Sequence, residues 1–271
     1  MKIAVVAPSC PLDEVAARRT AERATRFGAE LHFHPQCFSQ AGHFAGPDDE
    51  RRAALLEVMA DEEIDAVWFA RGGYGSNRIA HSIMRALPPE AFDKTYMGYS
   101  DAGFLLAGLH KAGCRVAHGP MPQDALREGG EAAIDRALGW LAQGAKDALE
   151  PGLSDGVPAM AFNLTVLSHL LGTELEPDFT GVDLIVEEVS EYEYRIDRAL
   201  FHVTGQDSVR KALRMRMGRM SDIPENDRPF GSDVGHIFAD WCARSGVVFA
   251  GAADVGHDAA NRVVPFGARS A

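Results

Sequence analysis

Ala66-Val67-Trp68-Phe69-Ala70-Arg71-Gly72-Gly73-Tyr74-Gly75 is the stretch on which the reading of the fold turns. Five apolar residues without a polar interruption are too few for a buried helix and too continuous for a strand with one wet face. They predict a strand covered on both sides, as in parallel sheets flanked by helices. The run then breaks into three glycines within four positions. Backbone without Cβ atoms can turn sharply there and aim N–H groups inward, at the carboxyl edge of the sheet where ligand loops of open α/β folds converge.

Outward from this stretch the same alternation repeats. Toward the N-terminus, Lys2–Ala7 and Glu30–His34 read as strands. Between and after them come a helix from about Asp13, ended by Gly28 as a left-handed cap, and a helix over Asp49–Asp61 with Leu55, Leu56 and Met59 on one face. Toward the C-terminus, Thr95–Tyr99 is a strand, Ala102–Ala112 a helix closed by Gly113, and Arg115–His118 a further strand. Successive βαβ units of this kind predict an α/β fold with a flavodoxin-like parallel-sheet domain over residues 1–135. Residues 136–155, polar and glycine-spotted, are expected as a linker, and 156–271 as a smaller mixed α+β domain. In the latter, helices near Leu164–Leu171 and Arg195–Thr204 accompany strands at Leu184–Val186 and Leu213–Met217.

An apolar fraction of 46% over 271 residues supplies a core without metal or disulfide help. Acidic residues outnumber basic ones, 39 to 27, and no basic stripe offsets the net charge of −12, which argues against nucleic acid as a partner. Cys10, Cys37, Cys114 and Cys242 are scattered, with no CxxC pair and no Cys/His cluster. No metal site or cofactor is expected, and reduced thiols suit a cytoplasmic protein. The opening apolar run ends at Pro8, too early for a signal peptide, and no stretch reaches the ~18 to 20 apolar residues of a membrane span.

Three segments carry candidate chemistry. Met97-Gly98-Tyr99-Ser100-Asp101-Ala102 stands where a strand turns into a helix, the setting of a nucleophile elbow, with small residues two before and two after the serine to let the backbones approach. Gly256-His257-Asp258 puts one of ten histidines in a glycine-flanked loop. Leu184-Ile185-Val186-Glu187-Glu188 ends a buried strand in adjacent carboxylates. A helix-capping serine, an unremarkable loop histidine and a solvated strand end would give the same three patterns. The glycine run suits an oxyanion hole, while its spacing is not the GxGxxG of a dinucleotide site.

Taken in order, AGPDDERR (Ala45–Arg52), RGGYGSNR (Arg71–Arg78), GYSD (Gly98–Asp101), HGP (His118–Pro120), NLTVL (Asn163–Leu167), VEEVSEYEYRIDR (Val186–Arg198) and GHDAANRVVPFG (Gly256–Gly267) resemble the motifs of the LD-carboxypeptidase family, which includes the peptidases of microcin C self-immunity. The resemblance implies a serine carboxypeptidase with Ser100 as nucleophile, His257 as base and Glu187, in preference to Glu188, as the acid, in a cleft between the domains. It also implies oxyanion donors at the backbone N–H groups of Asp101 and Gly73. The substrate would be a small murein tetrapeptide losing its terminal D-alanine in peptidoglycan recycling, and the assembly a homodimer.

For the substrate's carboxylate, Arg71, Arg195 and Arg198 are candidates, and Tyr74 and Asn163 are further candidate contacts; Asn163 reads equally well as a helix cap. Phe162 departs from the family's usual glycine and is expected to narrow the substrate pocket. The short segment after Gly267 is expected to loosen the last strand. An aminoacyl-nucleotide-cleaving immunity peptidase and a catalytically silent wall-peptide binder are the rival readings.

Overall fold

Ten strands form two sheets in the computed structural model, which describes residues 1–154 and 156–267. The first five are β1 (Lys2–Val6), β2 (Glu30–Phe33), β3 (Ala66–Phe69), β4 (Thr95–Gly98) and β5 (Arg115–His118). The next four are β6 (Ala159–Asn163), β7 (Asp183–Val189), β8 (Arg214–Ser221) and β9 (Phe249–Ala252), and β10 (Val264–Pro265) is the last. The larger sheet runs β2-β1-β3-β4-β5, all parallel, with β10 antiparallel on the free edge of β5. That order is the doubly wound flavodoxin-like one.

Helices cover both faces, as the fully buried β3 requires. Side chains of β1 alternate between them. Ile3, Val5 and Ala7 meet a layer built from α1 (Glu14–Ala24) and, later in the chain, α5 (Gly130–Gln143). Ala4 and Val6 meet the layer of α2 (Asp48–Ala60), α3 (Ser76–Met84) and α4 (Gly103–Ala112). The expected linker at 136–155 begins inside α5. Its glycines hide a helical stripe of Ala133, Ile134, Ala137, Leu138 and Leu141, all buried.

The smaller sheet is more regular than the mixed pattern read from the sequence, because β6, β7, β8 and β9 all pair in parallel. Neither β6 (AMAFN) nor β9 (FAGA) has a β-branched residue, so neither announces itself as a strand. Three helices serve this sheet: α6 (Leu164–Leu170), α7 (Glu193–Gly205) and α8 (Val234–Ser245).

One apolar cluster continues through both units, from Leu105 and Leu106 of α4 to Phe162, Val166, Phe179 and Leu184. Gly103 makes the approach possible, since a Cβ there would lie 3.0 Å from Val166 Cγ1. Phe162 belongs to this seam. It is buried between Phe179 and Phe266, with ring centroids at 6.4 and 5.2 Å, and so fills the joint between the sheets instead of narrowing a pocket. The last strand is held as well, for Val264 pairs with His118 and Gly267 bridges to Ala159.

Candidate active site

β4 ends at Gly98, Tyr99 stays extended, and Ser100 enters the left-handed region at φ +59° before a tight turn leads into α4. A non-glycine residue there is strained, at about 1 kcal/mol or more. The strain is tolerated because the surroundings determine it. A Cβ on Gly98 would meet Phe69 Cδ2 at 2.8 Å and Ala102 Cβ at 3.2 Å, so small residues are required on both sides of the turn.

The glycine loop after β3 lies directly over this serine. A Cβ on Gly72 would stand 2.9 Å from Ser100 Cβ, and Gly73 takes φ +86°. The Asp101 carboxylate staples loop to elbow, accepting from Ser9 Oγ (3.1 Å) and from the backbone N–H groups of Gly75 (3.1 Å) and Ser76 (2.7 Å) at the start of α3. Buried Arg51 adds a second tie by donating to the Pro8 carbonyl and to the Gly75 carbonyl (2.9 Å).

The imidazole of His257 sits between the other two groups. Its Nε2 is 2.8 Å from Ser100 Oγ and its Nδ1 is 2.6 Å from Glu187 Oε2. With a proton on Nδ1 donated to the carboxylate, Nε2 is left to accept from the serine hydroxyl. Glu187 is fully buried and its Oε1 has no hydrogen-bond partner among the described residues. Burial therefore pushes its carboxyl above the usual range, against the pull of His257. Burial pushes His257 down, but the Glu187 carboxylate outweighs it and holds the imidazole above its ordinary value.

Successive strand residues face opposite ways, and this separates the adjacent glutamates. Glu188 turns toward α6. There it accepts from Asn163 Nδ2 (2.6 Å), Thr165 N (2.8 Å) and Thr165 Oγ1 (2.6 Å). Glu187 faces β8 across Gly218, where a Cβ would collide with Glu187 Cβ at 2.7 Å and with the Val255 carbonyl at 2.8 Å.

A cavity of about 120 Å³ opens beside the serine, lined among others by Arg71, Gly72, Gly73, Met121, Arg127 and His257. Of the expected carboxylate ligands, only Arg71 reaches it. Arg71 forms no ion pair among the described residues and donates from Nη1 to the Pro11 carbonyl at 3.2 Å. Arg195 and Arg198 line a separate groove between α6 and α7, Arg195 beside Glu191 (3.5 Å) and Arg198 over the Tyr194 ring. Tyr74 is half exposed and stands outside the cavity beside His43 and Phe44. Asn163 is also outside it. Its Oδ1 caps α6 by accepting from Val166 N (3.1 Å) while its Nδ2 serves Glu188.

Sequence reading missed Arg127, Gln123 and Met121 in the cavity wall. They follow HGP in a stretch whose only local signal is the turn-forming Pro122. Among the described residues no group of His, Cys, Asp and Glu could hold a metal, and no helix is long and apolar enough to cross a membrane. Chemically, the arrangement offers a half-buried hydroxyl, an imidazole in contact with it, a buried carboxylate behind the imidazole, and glycine backbone against the serine.

Residues 3–119 match the family model of the LD-carboxypeptidase N-terminal domain, and residues 158–271 that of the LD-carboxypeptidase C-terminal domain. A putative carboxypeptidase of Synechocystis sp. is 31% identical over 277 residues, spanning 99% of this chain and 90% of that protein. The murein tetrapeptide carboxypeptidase of Pseudomonas aeruginosa is 26% identical, with 98% and 91% covered. Among solved structures, the muramoyltetrapeptide carboxypeptidase of Oxalobacter formigenes shares the fold at a TM-score of 0.83 and 23% identity, over 98% of this chain and 93% of that one.

Proposed function

Because the chain belongs to the LD-carboxypeptidase family, we propose that it is a serine peptidase that releases the terminal D-alanine of a murein tetrapeptide. The observation that carries this reading is the unbroken line from Ser100 Oγ through the His257 ring to Glu187, with contacts of 2.8 and 2.6 Å. Serine at its own pKa is a poor nucleophile, so His257 Nε2 takes the hydroxyl proton as Oγ attacks the scissile carbonyl. Glu187 keeps the imidazole in the useful tautomer and stabilises the imidazolium that forms.

The backbone N–H groups of Gly73 and Asp101 receive the oxyanion, each such donor being worth ~3 kcal/mol. Collapse breaks the C–N bond, His257 returns the proton to the departing amine, and water then hydrolyses the acyl-enzyme by the same route. A cavity of about 120 Å³ has room for one small terminal residue. The Arg71 guanidinium, which has no carboxylate partner among the described residues, suits that residue's free carboxylate. The name of the Pseudomonas relative supports murein tetrapeptide as the substrate. Wall fragments recycled in the cytosol are its proposed source and a homodimer its proposed assembly, the latter open to light scattering.

Murein tri-, tetra- and pentapeptides incubated with the wild type and with S100A, followed by mass, test the reading. Loss of one D-alanine from the tetrapeptide by the wild type alone is the expected result. Inert tetrapeptide together with cleavage of an aminoacyl-sulfamoyl nucleoside would move the protein to the self-immunity branch, and binding without any cleavage would leave a silent receptor.

A further inference from the structure

Three arginines clasp the loop that carries His257, and only one of them touches His257 itself. Arg136 Nη1 donates to the carbonyls of Ala259 (3.0 Å) and Asn261 (2.8 Å), and Arg219 pairs with Asp254 and Asp258. Arg127 Nη1 donates to the His257 carbonyl at 2.8 Å. Its Nε donates to Asp124 Oδ1 at 2.8 Å, and the same oxygen accepts from the Tyr99 hydroxyl at 2.9 Å. Asp124 is buried and fixed from its other oxygen by Met121 N (2.8 Å). Tyr99 is the residue before Ser100, and its ring packs on the imidazole with centroids 4.9 Å apart.

These contacts close a circuit. It runs from Ser100 through the peptide bond to Tyr99, then through Asp124 and Arg127 to the His257 backbone, and returns from His257 Nε2 to Ser100 Oγ. Among the described residues, every other hydrogen bond or ion pair to the loop holds a flanking residue or, through Glu187, the far side of the ring. We propose that Arg127, acting through Asp124 and Tyr99, is a positioning residue that sets the His257 imidazole against the nucleophile. The inference rests on the reading of Ser100 as the nucleophile and adds to it how the base, which lies 157 residues further along the chain, is brought into register.

The role differs from that of Arg71. Arg127 already has a carboxylate partner and a carbonyl to hold, so its bonds are made before any substrate arrives. A misplaced ring slows attack on every electrophile, whereas a lost substrate contact slows only peptides that carry the recognised group. A fluorophosphonate, which reacts with an activated serine and has no terminal carboxylate, separates the two.

The experiment measures the rate of fluorophosphonate labelling of Ser100 in the full chain for the wild type, S100A, R127Q, R127K and Y99F. R127Q is expected to label at least about tenfold more slowly, R127K to recover part of the loss, and Y99F, which keeps the ring and deletes one bond to Asp124, to fall about threefold. A second readout is the acid limb of the labelling rate. The ring is faced by Glu187 from β7, His118 from β5, Tyr99 after β4, and the Arg127–Asp124 pair, while the charge of Glu188 acts on it from the opposite face of β7. Removing the cation in R127Q should move the limb up, and D124N, which leaves the cation unpaired, should move it down; a purely structural defect moves neither.

Wild-type labelling in R127Q overturns the inference whatever happens to its peptide turnover. Should R127Q fail to fold, wild-type labelling in Y99F does the same. A wild type that labels no faster than S100A removes the nucleophile itself, and this inference with it; that failure is recognised because the wild type is silent.

Discussion

The six-stranded sheet delivers Ser100 from the end of β4 and, through β10, ties down the far side of the loop carrying His257, whereas the four-stranded sheet delivers the buried carboxylate of Glu187. By sequence match, His257 lies in the C-terminal family domain, yet its loop is strung between β9 of one sheet and β10 of the other. The serine is thus referenced to one framework and the glutamate to the second, while the histidine loop is held by both. The apolar seam of Phe162, Val166 and Leu105 joins the two. The lesson is that sequence domains and mechanical units need not coincide.

The comparison can be tested from its strongest contrast downward. S100A should lower turnover by about 10⁴-fold or more with the fold intact, as measured by product mass and thermal unfolding. Next, E187Q should reduce kcat by about 10²- to 10⁴-fold. The Glu187 carboxylate favours the charged imidazole and holds His257 above its ordinary 6.5, so removing it lowers that pKa. The acid limb of kcat/KM in E187Q should accordingly move to lower pH, and a limb that stays in place would detach Glu187 from the base. E188Q, one residue away on the opposite face, should act on the capping of α6, costing roughly 1 to 2 kcal/mol in denaturant titration and less than about tenfold in kcat.

Within the smaller sheet, Arg216 is buried between Glu150 and Asp183, at 2.8 and 3.0 Å. R216A leaves the buried Glu150 carboxylate without its cation, while Asp183 keeps Arg214 at 2.7 Å, and should cost about 3 to 5 kcal/mol in chemical unfolding. If the sheets act as one welded body, that loss appears in a single transition; two separate transitions would break the picture. The smallest effect is expected from S100G, which removes the penalty of a left-handed serine and should stabilise the inactive protein by about 1 kcal/mol.

Much of the architecture was legible, because β1 and β3 are short apolar runs, and β4 and β5 are short segments with an apolar middle. Gly98 and Ala102 around Ser100 carry a steric requirement that spacing expresses directly. What escaped lacks a local signature. β10 has two residues and exists only because β5 offers an unpaired edge. The choice between Glu187 and Glu188 depends on which face of β7 looks toward the loop, which alternation alone leaves undetermined without the neighbouring β8. The Tyr99–Asp124–Arg127 circuit joins side chains whose partners lie up to 130 residues apart, and no window on the chain contains it.

The bridge from β10 to β5 also bears on how the polypeptide is born. Translation delivers the elbow at Ser100 early, then the strand of Glu187, and only later the loop of His257 with the residues that dock it. A half-made polypeptide on the ribosome therefore has a serine but no proton acceptor beside it. The contact between Ser100 and His257 therefore forms only as the last edge of the first sheet is filled.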